Sequence, residues 1–211
     1  ALPIYQKRPY EFLEEKGVLG PWFLGAHSLL LSEEEKELIR ERGVRICHCP
    51  FSNCGKAVPD TPSLLKRGIP VGLGTDGAAH GGLSIWNEMK IFRSVMNVTH
   101  GAPLAEPAAM PAKKILDIAV KGGAACLGEE PATIAVGKRA DLIGIDMDAP
   151  HLWIHGKISN TLLESVGAGD VKDMIVGGRF LMRNREILTL DEEKIRSEAL
   201  AFEKGESRWS I

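Results

Sequence analysis

The chain contains 211 residues, of which 44% are hydrophobic and 26% are charged, as is typical of a folded globular protein. Lys plus Arg total 26 against 28 for Asp plus Glu, so the net charge of -2 provides no strong field for a nucleic-acid partner. No run of about 18 apolar residues is present to span a bilayer, and the N-terminal residues lack the apolar core of a secretion signal. We therefore expect a soluble, cytoplasmic protein with no nucleic-acid and no membrane partner.

The first part of the chain alternates short apolar runs with segments of helical periodicity. The apolar runs predict buried strands at residues 21–27, 44–49 and 70–74. The helical segments are residues 9–17, Ser32 to Gly43, Thr61 to Gly68, Leu83 to Val98, and a further helix that starts at Pro111. A polar loop is predicted from Pro50 to Pro59. Because parallel strands need crossover connections, this order predicts parallel β/α units.

The pattern changes at Gly137 to that of a β-rich segment. Residues 140–148 (ADLIGIDMD) predict a strand, and residues 173–188 predict a hairpin that turns at Gly177 and Gly178. A charged segment with helical spacing follows from Asp191. The predicted organisation is therefore a β/α region at residues 1–136, a β-rich region at 137–190 and a C-terminal helix at 191–211.

Two chemically capable side chains follow predicted strands. His27 stands at the end of the first strand, and Asp76 stands just past the end of the third. Because the active sites of parallel β/α proteins lie at the carboxyl ends of the strands, we expect both side chains to face the same active-site cleft. A carboxylate suits a metal ligand or proton acceptor, and an imidazole suits a group that orients water. The structural alternatives are a turn-capping Asp76 and a core His27.

Four segments, in this order and spacing, resemble the amidohydrolase superfamily: LGAHSLLLSEEE, HCPFSN, GLGTDGAAHGGLSIWNEMK and GKRADLIGID. The resemblance is strongest to the branch of aminohydrolases and chlorohydrolases that includes cytosine, guanine and S-adenosylhomocysteine deaminases. It covers nearly the whole chain from about Lys7 to Leu188, and the GTDG segment is its most specific part.

The resemblance implies an α/β fold, namely the C-terminal part of a (β/α)8 TIM barrel followed by the C-terminal half of a small β-sandwich. The three predicted strands would be barrel strands six to eight. In such enzymes a His-x-His pair on strand one and a His on strand five bind zinc or iron together with the strand-eight Asp, while a nearby Glu shuttles protons. The implied activity is metal-dependent hydrolysis, in which water attacks a C–N or C–Cl carbon of a heterocyclic or amidine-like small molecule.

Carried onto this chain, the family roles make Asp76 the metal ligand and the acceptor of the proton from the attacking water. His27 would hold that water or the developing alkoxide. Asn53 occupies the SN pair of the strand-seven loop and is a candidate substrate contact; the alternative is a side chain that bonds the loop's own backbone. His80, in the loop after strand eight, is a second candidate substrate contact or an exposed loop histidine.

The chain departs from the family pattern in two ways. His48-Cys49-Pro50 replaces the usual His-Asn-Pro, and none of the six histidines belongs to a His-x-His pair or to a His with Glu three residues on ahead of His27. We therefore expect one divalent metal, zinc or alternatively iron, whose other ligands are not in this sequence. The chain would begin after strand five of a longer protein, as a truncated gene, a cleaved product or an incomplete sequence. It would need the missing N-terminal half of the barrel and be inactive alone.

A second hypothesis is that the chain is a non-catalytic interaction or assembly subunit derived from that fold. Assembly into a homo-oligomer is a further possibility.

The cluster of Cys47, His48, Cys49 and Cys54 suggests a small zinc module, but strand alternation separates Cys47 and Cys49 from His48. Reduced, buried thiols are the favoured interpretation. His100, His151 and His155 show no spacing related to Asp76, while Trp22 fits the first strand and Trp86 the core face of a helix.

Overall fold

The computed structural model describes residues 2–78, 82–106, 109–154 and 156–204. The chain divides into two compact units, one made of residues 1–132 and 154–167 and the other of residues 133–153 and 168–211. The first division falls near the change of pattern at Gly137. Residues 154–167 pack within the first unit although they follow a β-rich segment in the sequence.

The first unit contains a parallel three-stranded sheet in the order β1-β2-β3. The strands are β1 (Leu24–Ala26), β2 (Arg45–His48) and β3 (Val71–Leu73). The mixed α/β class and the parallel order are as predicted, but each strand is shorter than its apolar run. The placement of Trp22 in the first strand was wrong: the chain turns where the Phe23 N–H bonds the Gly20 carbonyl, which leaves Trp22 74% exposed.

The first unit also contains nine α-helices within its described residues. They are α1 (Leu2–Tyr5), α2 (Pro9–Glu15), α3 (Glu33–Glu41), α4 (Pro50–Cys54), α5 (Thr61–Lys66), α6 (Ile85–Met96), α7 (Ala112–Asp117), α8 (Gly123–Leu127) and α9 (Ile158–Asn160). Single π-helical turns follow α6, α7 and α9 at Asn97–Gly101, Ile118–Gly122 and Thr161–Ser165. A 3-10 turn occupies Ala102–Leu104.

The starts of two helices show how local sequence acts. The Ser32 hydroxyl accepts the Glu35 N–H at 3.2 Å, and the Glu35 carboxylate accepts the Ser32 N–H at 3.1 Å, which confirms the predicted capping box of α3. The loop predicted from Pro50 to Pro59 instead begins with α4. Proline at the first helical position has the φ that a helix requires, so Pro50 favours this turn of helix within an otherwise polar loop.

The core of the first unit joins the sheet to α6 and α7. Ile46 and Val71 of the strands are at most 2% exposed, as are Phe92 and Met96 of α6 and Ile115 of α7. Each large apolar side chain buried in this way stabilises the fold by about 1.5–3 kcal/mol. Trp86 lies on α6, as predicted, and packs against this core while remaining partly buried.

The second unit contains an antiparallel sheet in the order β4-β5-β6-β7. Its strands are β4 (Leu142–Ile145), β5 (Val171–Val176), β6 (Arg179–Arg183) and β7 (Glu186–Ile187), with 3-10 turns at Pro150–Leu152 and Ala168–Asp170. The predicted hairpin is confirmed, because Val176 pairs with Arg179 across Gly177 and Gly178, both at positive φ.

The predicted C-terminal helix is also present. It is α10 (Glu192–Glu203), and the Asp191 carboxylate caps it by accepting the Lys194 N–H at 2.9 Å. None of the helices that the structure describes has the length and apolarity needed to cross a bilayer.

Candidate functional site

His27 and Asp76 lie together at one edge of the parallel sheet. His27 directly follows β1, and Asp76 lies three residues beyond β3. Nε2 of His27 is 3.5 Å from Oδ2 of Asp76, and the two side chains are 30% and 29% exposed. The structure thus brings together the two residues that the sequence singled out, in a place that small molecules can reach.

The backbone at both residues is unusual. His27 has a φ of 62° and Asp76 a φ of 60°, in the left-handed region that residues other than glycine rarely adopt. Such conformations cost about 1–3 kcal/mol each and concentrate at functional sites. Ser28, at a φ of 49°, extends the turn, and its hydroxyl lies 2.7 Å from the Tyr10 hydroxyl. Gly25 permits this approach, because a Cβ there would lie 2.1 Å from the Tyr10 oxygen.

The side chain of Asn53 fixes the ring of His27. Its Oδ1 lies 2.8 Å from Nδ1 of His27, and Asn53 is only 2% exposed. An amide oxygen can only accept, so Nδ1 donates this bond, and Nε2 is the ring nitrogen that lies next to Asp76. In the tautomer with its single proton on Nδ1, the lone pair of Nε2 is available there. The alternative in which Asn53 bonds its own loop backbone was wrong for this oxygen. The role of Asn53 as a substrate contact stays a prediction.

Ser52, the neighbour of Asn53 in α4, holds the carboxylate. Its hydroxyl donates to Oδ2 of Asp76 at 2.7 Å and accepts from Nζ of Lys56 at 2.9 Å. The Gly77 N–H donates to the other oxygen, Oδ1, at 2.7 Å. Both oxygens of Asp76 are therefore oriented by donors, and adjacent residues of one short helix touch both members of the pair.

His48 supports the same edge from inside. It is fully buried, and its Nδ1–H donates to the His27 carbonyl at 3.0 Å. Burial and, to a smaller extent, the nearby His27 ring lower the pKa of His48 to about 4, against the opposing effect of the bond to the His27 carbonyl. His48 is therefore a neutral donor at neutral pH, which holds the backbone where β1 ends.

The cysteines form no zinc module. All four thiols are free, and burial raises the pKa of Cys47 to about 12. Cys49 and Cys126 are buried and Cys47 is half-buried, but the expectation of a buried Cys54 was wrong, because α4 turns this side chain outward. Within the described ranges, no group of three or more His, Cys, Asp or Glu side chains is arranged to hold a metal ion.

The pair of His27 and Asp76 does fit a divalent metal as part of a ligand set. Zinc accepts carboxylate oxygen and neutral imidazole nitrogen, and both groups stand here with their donor atoms 3.5 Å apart. A catalytic zinc takes three protein ligands and leaves one position open. The pair therefore offers suitable donors but supplies fewer than such a site needs.

The remaining histidines fall into two groups, those outside the described residues and those at other places in the fold. His80, the second predicted substrate contact, and His155 lie outside the described residues. In the second unit, Nε2 of His151 lies 3.1 Å from Oδ2 of Asp170, a local pairing that the sequence pattern did not indicate. His100 lies in the π-helical turn that follows α6.

Comparison with known proteins gives a consistent result. A model of the amidohydrolase family matches residues 4–181. The chain is 37% identical over 198 residues to the 5'-deoxyadenosine deaminase of Methanosarcina mazei, covering 92% of this chain and 45% of that protein. It is 38% identical over 197 residues to the 5-methylthioadenosine/S-adenosylhomocysteine deaminase of Syntrophobacter fumaroxidans, covering 90% and 44%. The chain thus spans less than half the length of these curated relatives.

Two solved structures share the fold. One is an adenosine deaminase from Xanthomonas campestris with bound zinc, at a TM-score of 0.88 and 26% identity, covering 97% of this chain and 47% of that one. The other is the atrazine chlorohydrolase of Arthrobacter aurescens in complex with zinc, at a TM-score of 0.80 and 25% identity, covering 95% and 45%. Both similar enzymes are zinc-bound hydrolases.

Proposed function

This chain belongs to the amidohydrolase family, and we propose that it supplies part of the active site of a metal-dependent hydrolase. The reaction is attack of water on a C–N or C–Cl carbon of a heterocyclic or amidine-like small molecule. The observation that carries the proposal is the 3.5 Å approach of His27 to Asp76 beyond the carboxyl ends of two parallel strands. That edge is where the active sites of such folds lie.

The parallel order of the sheet supports a finer assignment. We assign β1, β2 and β3 to strands six, seven and eight of a (β/α)8 barrel, with α3 and α5 as the crossovers between them. The antiparallel sheet of the second unit is assigned to the C-terminal half of a small β-sandwich. Residues 1–132 with 154–167 then form the barrel portion, and the sheet β4-β5-β6-β7 with α10 forms the appended region.

Asp76 is the residue that would hold the metal, with His27 beside it. A divalent metal supplies Lewis acidity, which lowers the pKa of water from about 15.7 to about 7. The attacking water loses a proton to a carboxylate oxygen of Asp76 as its own oxygen bonds to the substrate carbon. Nε2 of His27, with its lone pair available, accepts a hydrogen bond from that water and orients it. The proton held by Asp76 and the second proton of the water then pass to the substrate, one to the ring nitrogen and one to the leaving amine, and the C–N bond breaks with release of ammonia. With a chlorinated substrate the C–Cl bond breaks with release of chloride and one proton.

The relatives favour one substrate class. The two curated relatives are named for the deamination of 5'-deoxyadenosine and of methylthioadenosine or S-adenosylhomocysteine. We therefore propose an adenine nucleoside as the substrate, with the exocyclic amine leaving as ammonia. Zinc is the proposed metal, because the similar adenosine deaminase and the chlorohydrolase are both zinc-bound.

We further propose that the remaining metal ligands and the proton-shuttling carboxylate lie outside residues 1–211. The motivation is that Asp76 is the one metal ligand assigned within this chain, whereas a catalytic zinc takes three protein ligands. The missing barrel portion then belongs either to the same polypeptide or to a separate chain.

The experiment compares the complete natural protein with the 211-residue chain. Ammonia release is measured with 5'-deoxyadenosine, methylthioadenosine and a chlorotriazine, before and after a chelator and after zinc is restored. We expect deamination by the complete protein, loss on chelation, recovery with zinc and no turnover by the 211-residue chain. Turnover that survives complete removal of metal, or full activity of the 211-residue chain, would refute the proposal.

A further inference from the structure

We propose that Glu88 is a positioning residue: it caps the short helix α4, and α4 in turn fixes the side chains of His27 and Asp76. This proposal rests on the proposed function. Glu88 lies on α6 and is only 4% exposed. Its Oε2 accepts the backbone N–H of Phe51 at 2.8 Å, across 37 residues of sequence. Neither the resemblance nor the periodicity of α6 indicated a role for this carboxylate beyond its place on the helix.

The bond to Phe51 replaces a cap that α4 lacks. The first N–H groups of a helix have no partner within the helix, and a side-chain oxygen of the preceding residue usually accepts one of them. Cys49 precedes α4 and makes no side-chain cap bond. Glu88 therefore supplies from a neighbouring helix the acceptor that the local sequence does not.

The position of α4 controls both site residues. This helix carries Ser52, which bonds Oδ2 of Asp76 at 2.7 Å, and Asn53, which bonds Nδ1 of His27 at 2.8 Å. Ser52 and Asn53 are 5% and 2% exposed, so neither can reach its partner from another direction. A shift of α4 would lengthen both bonds together, and a misplacement of about 1 Å at such a site can reduce the rate about 100-fold.

The role that we assign to Glu88 is that of a hydrogen-bond acceptor. Burial raises the pKa of Glu88, and the negative charge of Asp76 raises it further, while the Phe51 N–H opposes the shift. A protonated carboxyl group still keeps an oxygen that accepts from Phe51. The bond, and not the charge, is therefore the feature to test, and a neutral glutamine should replace Glu88.

The test uses three variants of the complete natural protein. E88Q keeps an acceptor for Phe51, and E88M fills the same space without one. D60A is the matched control, because Asp60 caps the short helix α5 through the Ser63 N–H at 3.3 Å and otherwise pairs with Nζ of Lys36 at 2.6 Å, so that it also removes a helix cap but one that does not belong to α4. Two quantities are measured: kcat and KM for deamination, and the protonation of the His27 ring nitrogens by 15N NMR of the metal-free protein.

We expect E88M to lower kcat about 10- to 100-fold with KM changed less than about threefold, and to reduce the fraction of His27 protonated at Nδ1. E88Q and D60A should keep both properties near those of the wild type. Wild-type kcat and an unchanged His27 signal in E88M would overturn the proposal, as would a loss in E88Q as large as that in E88M. If E88M does not fold, Glu88→Asp takes its place: the shorter side chain keeps the carboxylate but withdraws its oxygens from the Phe51 N–H, so a fall in kcat is again expected and wild-type kcat would overturn the proposal.

The two proposals fail in different ways. If the wild-type protein deaminates none of the nucleosides, the proposed function fails, while the NMR measurement still shows whether Glu88 controls the His27 ring. If the wild type is active and the His27 NMR signal is the same in E88M, only the proposed role of Glu88 is refuted.

Discussion

Nδ1 of His27 donates a hydrogen bond to Oδ1 of Asn53 across 2.8 Å. The ring that it fixes is partly exposed, whereas the amide is almost completely buried. A buried acceptor thus sets the tautomer of a solvent-facing imidazole and directs the lone pair of Nε2 toward the position next to Asp76. Fixing a second ring atom in this way is how proteins select one tautomer of a functional histidine.

Replacement of Asn53 by Leu removes this acceptor while keeping a side chain of similar size. The His27 ring is then free to rotate or to change tautomer, and we expect kcat for deamination to fall about 10- to 100-fold. Asn53→Asp, which keeps an acceptor, should retain more of the rate. Steady-state kinetics of the complete protein measures the effect, and Asn87→Leu, at an exposed position of α6, is the control. Unchanged kcat in N53L would show that His27 needs no such support.

Acid should destabilise the fold through His48. The pKa of this residue is about 4 in the folded protein and about 6.5 in the unfolded chain, so the unfolded chain binds more protons between these values. The free energy of unfolding is therefore unaffected by the titration of His48 above about pH 6.5 and decreases as the pH falls toward about 4. The total decrease is about 3 kcal/mol.

Urea unfolding at pH 7 and pH 4.5, compared between the wild type and His48→Gln, measures this effect. Glutamine keeps a donor for the His27 carbonyl and does not titrate in this range. Because the carboxylates titrate in both proteins, the difference between them isolates His48. We expect the wild type to lose more free energy of unfolding than H48Q on acidification, and equal losses would contradict a neutral, buried His48.

Alkylation of the native protein should distinguish the four thiols. Cys54 is exposed, whereas Cys49 and Cys126 are buried and the pKa of the half-buried Cys47 is raised to about 12. Because the thiolate is the reactive form, we expect iodoacetamide at neutral pH to modify Cys54 first, at least about tenfold faster than the others. Peptide mass spectrometry measures the rates, and the denatured protein provides the control in which all four react. Rapid native labelling of Cys47 would contradict the packing of β2.

Local patterns in the sequence were sufficient for several elements. The capping box of Ser32 and Glu35 started α3 as predicted, and the pair Gly177 and Gly178 formed the expected hairpin turn. Apolar runs located all three parallel strands, though not their ends. The position of His27 and Asp76 at one edge followed from the parallel order, since strands of equal direction end on the same side.

The features that the sequence pattern missed depend on distant partners. Helix α4 was predicted as loop because its composition is polar, and its missing cap comes from Glu88, 37 residues further along the chain. The bond between His27 and Asn53 spans 26 residues, so no local pattern indicates it. The adjacent Ser52 and Asn53 were the available signal: neighbouring polar residues in a loop beyond a strand end, each of which could face a site residue.

The central claim is that Asp76 holds a catalytic metal in the complete protein, and its most direct test is the metal content and the turnover of Asp76→Ala measured on the same sample. The control is Asp117→Ala, because Asp117 lies on α7 and forms ion pairs with the exposed Lys113 and Lys121. We expect about one zinc per wild-type or D117A site, and in D76A a loss of most of the zinc together with a fall in kcat of at least about 1000-fold. Full zinc occupancy with wild-type turnover in D76A would contradict the account.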